Sequence, residues 1–169
     1  MFGTTNAISA AKALLHLRME FSNPPKNERQ LDPLFYAYLK GRHSTIKVSR
    51  QVHVHFVNKS HPSRVDFRLG GSNPTLLELA VRPPGGFQEL MGPQNKKELR
   101  KLSKFPQTKA KRRILLLLDL RETPLHKVNL KASYASVHAG PGKKGRHAVT
   151  VVYVHARTDY WFSWDPFKK

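Results

Sequence analysis

The chain has 169 residues, enough for one domain with a sizeable core, and its 39% apolar content falls in short periodic segments that argue against disorder. Thirty Lys and Arg face eleven Asp and Glu, a formal net charge of +19, so the expected partner is a polyanion: nucleic acid first, an anionic membrane surface or acidic protein behind it. The absence of cysteine excludes disulfides and thiolate metal sites. The longest apolar run, "ILLLLDL", falls well short of the roughly 20 residues that a span requires. The first twenty residues lack the basic start and cleavage signature of a secretory leader. A cytoplasmic protein with no membrane partner is therefore expected.

In chain order, the spacing of Ile8, Ala11, Leu15 and Met19 predicts a helix near 5–20, capped by Thr4 or Thr5. "SNPPKN" breaks the chain. A second helix is predicted over 32–40, with Asp32 as cap, Pro33 in the first position, and Leu34, Phe35 and Leu39 turned inward. One continuous helix from Glu28 would set Pro33 too deep, because proline lacks the N–H that a helix interior needs. The period then becomes two: Ile46, Val48, Val52, Val54 and Phe56 predict one long strand over 46–57 with a single apolar side.

"RVDFRLGGSNPTLLELAVR" predicts two more strands, 63–69 and 75–82, joined by a turn, making an antiparallel meander. "GPQNKKELRKLSKF" predicts a helix over 94–105 with Leu99, Leu102 and Phe105 inward and a broad cationic face. "RRILLLLDL", 112–120, is apolar throughout and predicts a strand covered on both faces. Beyond it, "KVNLKASYASVHA" and "HAVTVVYVHAR" are expected as strands around the basic loop "GPGKKGR", followed by the aromatic tail "DYWFSWDPFKK". The fold class is mixed α/β, with one domain over 1–169.

In a chain so poor in acids, Asp66 and Glu78 stand inside two adjacent apolar strands. Buried carboxylates need a cation, either a side chain or a metal. A plainer alternative pairs Asp66 with Arg64 or Arg68, and Glu78 with Arg82, as ordinary strand ion pairs. The order helix, strand, strand, strand, helix, strand, with an Asp on the second strand and a Glu on the third, resembles the PD-(D/E)xK nuclease superfamily. The resemblance covers about 28–120, with a β-rich C-terminal extension over about 125–169. It implies a restriction-endonuclease-like central mixed sheet flanked by helices, and phosphodiester hydrolysis with Mg²⁺ or Mn²⁺ held by Asp66 and Glu78. It also implies an additional metal-binding acid at Glu28, and a lysine two residues beyond the Glu. Ala80 occupies that lysine position. Arg82, further along the same strand, or Lys96 or Lys97 from the next helix, is the expected replacement.

The implied activity is a metal-dependent endonuclease, with DNA as the first substrate and a homodimer allowed for. The alternatives are a catalytically degenerate nucleic-acid-binding module on the same fold and a basic RNA-associated protein. Two surfaces are expected to hold phosphate: Lys96, Lys97, Arg100 and Lys101 on the helix, and Lys143, Lys144 and Arg146 on the glycine-rich loop. His53 and His55 share one side of a strand at a metal-compatible spacing, but neither His61 nor His155 is fixed as a third ligand. "YWFSW" is expected to pack on the core rather than to stack on bases.

Overall fold

The computed structural model describes residues 1–54, 63–86, 89–135, 137 and 147–167. Helices α1 (Thr4–Leu17), α2 (Glu28–Arg42), α3 (Pro93–Ser103) and α4 (Lys127–Ala135) surround a sheet of β1 (Val48–Val54), β2 (Ser63–Leu69), β3 (Thr75–Arg82), β4 (Arg112–Asp119), β5 (Thr150–His155) and β6 (Trp161–Trp164). The strands lie side by side in chain order. β1, β2 and β3 form an antiparallel meander, β4 and β5 continue parallel to β3, and β6 returns antiparallel to β5.

The parallel centre is buried on both faces, as the unbroken apolar run of β4 requires. Leu77, Leu79, Val81, Ile114, Leu116 and Leu118 pack in one apolar cluster with Ala7, Leu14, Leu31 and Phe35 of α1 and α2. Leu76, Ala80, Leu115 and Leu117 alternate with them and join Leu99, Leu102, Leu130 and Tyr134 of α3 and α4 in a second cluster. The result is a three-layer sandwich, helices on both sides of one mixed sheet.

Several sequence expectations change. Helix α2 does run continuously from Glu28, through Pro33. Asn27 caps it, accepting from the Gln30 N–H at 3.1 Å, while the Gln30 side chain accepts from the Lys26 N–H at 2.8 Å. Pro33 removes only the bond that Arg29 would accept, and Arg29 lies in the exposed first turn, open to water. Helix α1 stops at Leu17 and tightens into a 3₁₀ turn over Arg18–Glu20, which turns Met19 out to solvent. Gly3, rather than a threonine, occupies the cap position, and its N–H donates to Asn6 Oδ1 at 2.9 Å.

The segment 127–135 is a helix, not a strand, because Leu130 and Tyr134 fall one helical turn apart and bury together. The C-terminal part is therefore no separate β extension: β5 and β6 complete the same sheet. Phe162 of β6 stacks on Tyr153 with ring centroids 4.9 Å apart and packs on the core, whereas Tyr160 and Trp161 of the same tail are exposed.

Strand β1 also departs from one-sided alternation. Ile46 and Val48 pack with the α1/α2 cluster, whereas Val52 and Val54 pack with the α3/α4 cluster. β2 changes sides at the same level, Phe67 and Leu69 on one cluster and Val65 on the other. Between these pairs lies Gln51, whose φ of +54° puts a non-glycine residue in the left-handed region. Expected positions 55–57 of the first strand lie outside the described residues.

Candidate functional site

The β2–β3 ladder begins at the turn and runs through the pairs Leu69–Thr75, Arg68–Leu76 and Phe67–Leu77. The next residues on each strand are Asp66 and Glu78. At this level the backbone no longer pairs, and the Asp66 carboxylate takes over, Oδ2 accepting from the Leu79 N–H at 2.9 Å. The parting strands leave a notch floored by the two carboxylates. Chain connectivity thus does what spacing along the sequence suggested: it brings Asp66 and Glu78 together.

Ala80 packs in the apolar cluster below α3, so no cation reaches the notch from that position. Lys101 reaches it from α3 instead. Its Nζ lies 2.5 Å from Glu78 Oε1, pairs with Glu98 Oε2 one turn back on the helix, and donates to the Arg64 carbonyl at 2.8 Å. Two ion pairs and one hydrogen bond thus fix the ammonium in place.

A cavity of about 810 Å³ opens over the notch, and Glu28, Asp66, Glu78, Glu89 and Glu98 all line it. Five of the eleven carboxylates in a +19 chain therefore share one cleft. Lys101, Arg64 and Lys97 are its cationic lining. Electrostatics follow from this crowding. Burial, then Asp66, push the Glu78 carboxyl up to about 10, despite the opposing effect of Lys101. Burial, then Asp66, Asp32 and Glu98, push Glu28 up to about 7. Burial alone would lower Lys101, but pairing with Glu78 and Glu98 outweighs it and raises it. Three cations line the cleft against five carboxylates, and among the described residues Lys101 alone pairs with Glu78 and Glu98, so a further cation or a proton is favoured there.

Asp66 and Glu78 supply hard oxygen donors, with Glu28 across the cavity, the donor chemistry that Mg²⁺ or Mn²⁺ takes. Among the described residues no group of three or more His, Cys, Asp or Glu side chains is spaced to hold a metal by itself. A cation here would complete its shell with water and phosphate oxygens, which is how Mg²⁺ commonly binds.

Other expected residues fall elsewhere. Arg82 does not line the cavity. Its guanidinium is taken up by Asp119 at 2.9 Å, its partner in the β3–β4 register, and by Glu89 at 3.1 Å. Arg68 donates to the Gly71 carbonyl at 2.8 Å, and among the described residues Asp66 pairs with neither Arg64 nor Arg68. Lys97 and Arg100 are exposed on α3 and Lys96 is half-buried. Lys143, Lys144 and Arg146, like His55 and His61, lie outside the described residues. His53 is exposed, while His155 is buried, its ring nitrogens 2.8 Å from the Arg121 carbonyl and 2.9 Å from Thr158 Oγ1. Sequence reasoning placed Lys101 on the phosphate-binding surface and passed over Asp32, Gln51 and Glu98. The pairing of Glu98, the lone acid of α3, with a lysine one turn on was the available signal.

Compared with protein-family models, curated proteins and solved structures, the chain matches none. Among the described residues, no helix is long and apolar enough to cross a membrane.

Proposed function

We propose that the protein is a metal-dependent endonuclease of restriction-endonuclease-like architecture, with DNA as its first substrate. The observation that carries this reading is the meeting of Asp66, Glu78 and Lys101 where β2 and β3 part. Supporting it are the element order, with a three-strand antiparallel meander, a crossover through α3 and a parallel β4, and the exposed cations of α3 beside the cleft.

Phosphodiester cleavage adds negative charge to an already anionic group, in a cleft that is itself acidic. A bound Mg²⁺ or Mn²⁺ would supply charge neutralisation and an acidified water. Asp66 and Glu78 would hold it, with Glu28 as the further acid. Lys101 takes the part of the missing motif lysine. Because its neighbours raise its pKa, it keeps its proton and acts as a hydrogen-bond donor and fixed positive charge, orienting water or a phosphate oxygen rather than serving as base. The Asp66 carboxylate, held by the Leu79 N–H, needs no reorganisation to present its oxygens. Arg64 and Lys97 on the rim, with Lys96 and Arg100, would anchor the flanking phosphates.

The test is cleavage of supercoiled, linear, branched and single-stranded substrates with Mg²⁺ or Mn²⁺. Nicked or cut product that appears only with the cation supports the reading. The second reading, a binding module with a silent site, draws on the engagement of Lys101 by both Glu78 and Glu98, which occupies the cation that the motif would turn to water or phosphate. Salt-sensitive binding without cleavage of any substrate would favour it.

A further inference from the structure

Consecutive residues of a strand point to opposite faces, yet Arg50 and Gln51 both reach Asp32. Arg50 Nε pairs with Asp32 Oδ1, and Gln51 Nε2 donates to Asp32 Oδ2 at 3.0 Å. The left-handed backbone at Gln51 makes this convergence possible, and glutamine adopts that region at a cost that glycine would avoid. From the same position Gln51 Nε2 lies 3.4 Å from Asp66 Oδ1. Two carboxylates flank this amide, so its NH₂ must face them; its oxygen then lies buried, with no hydrogen-bond partner. Asp66 is thus held on Oδ2 by the Leu79 N–H and approached on Oδ1 by an amide that the Arg50–Asp32 pair fixes.

We propose that Gln51 is a positioning residue for the Asp66–Glu78 site, a strained strand residue whose carboxamide orients Asp66 toward a divalent cation. The proposal rests on the reading of the cleft as a cation site. A plain structural role predicts otherwise. If Gln51 served only to let the strand change faces, glycine would do so with less strain.

The measurement is the melting temperature of the whole chain titrated with Mn²⁺, for the wild type, Gln51→Gly and Gln51→Asn. Glycine relaxes the backbone and removes the amide, whereas asparagine tolerates the left-handed region but falls one methylene short. Without metal, Gln51→Gly is expected to melt at or above the wild-type temperature. Both variants should need about ten times more Mn²⁺ for half of the stabilisation, the scale seen when a partner of a metal ligand is lost. Wild-type Mn²⁺ dependence in either folded variant overturns the assignment of Gln51 alone. No Mn²⁺ response in the wild type overturns the cation site and this proposal with it. Should glycine fail to fold, Gln51→Asn decides alone.

Discussion

Glu78 sits 3% exposed beside another carboxylate, with one lysine between it and neutrality. Its raised pKa makes a stability statement. Between the ordinary carboxylate pKa and about 10, the folded state holds a proton that the unfolded chain has released, so metal-free stability falls as pH rises through that window. Glu28 adds the same sign up to about 7. Above pH 7 the remaining slope belongs to Glu78, at most about 1.4 kcal/mol per pH unit for one proton. Glu78→Gln, which keeps the shape and removes the charge, should raise the metal-free melting temperature at pH 8 and flatten its decline. Thermal melts from pH 5 to 9 check this; an unchanged slope would contradict it. Lys101→Met should do the reverse, leaving Glu78 and Glu98 without their ammonium and costing about 3 kcal/mol in denaturant unfolding at pH 8.

Among the elements, β3 and β4 are joined at their C-terminal ends by Arg82 and Asp119, register partners whose ion pair is completed by the Tyr153 hydroxyl donating to Asp119 at 2.7 Å. Arg82→Leu should cost about 3–5 kcal/mol of stability, since it strands a fully buried carboxylate. If Arg82 has no chemical part, the folded fraction should still cleave at the wild-type rate per folded molecule. A selective loss of turnover would return Arg82 to the active site.

Strands β2 and β3 were legible in the sequence because their runs end at Gly and Pro, β4 because it is apolar throughout, and Asp66 and Glu78 were legible because acids are scarce. Lys101 was not, since the motif spacing searches along β3 while the ammonium enters from α3. The change of face at Gln51 carries no glycine to mark it, and the alternation from Ile46 to Phe56, interrupted only at Arg50, reads as a single side. For α4, Val128, Leu130, Ala132 and Tyr134 recur at every second position and imitate a strand; packing of Leu130 and Tyr134 decides the helix.

At the scale of the molecule, charge is segregated. Cations cover the surface while five acids share one cleft, so a polyanion is drawn to the whole and repelled from the cleft unless a cation fills it. Nucleic-acid affinity should fall steeply with salt. Each phosphate contact removed by Lys96→Ala, Lys97→Ala or Arg100→Ala should flatten the slope of log K against log salt by about 0.9, read from binding isotherms at several salt concentrations. The central claim, that Asp66 and Glu78 form a cation-dependent cleavage site, is tested most directly by cleavage and binding measured in parallel on one DNA substrate with Mn²⁺, for the wild type, Asp66→Asn and Glu78→Gln. The account predicts cleavage by the wild type, loss of cleavage of at least about a hundredfold in each variant, and salt-sensitive binding close to wild type in all three. Undiminished cleavage in either variant, or none in the wild type under conditions where it binds, would contradict it.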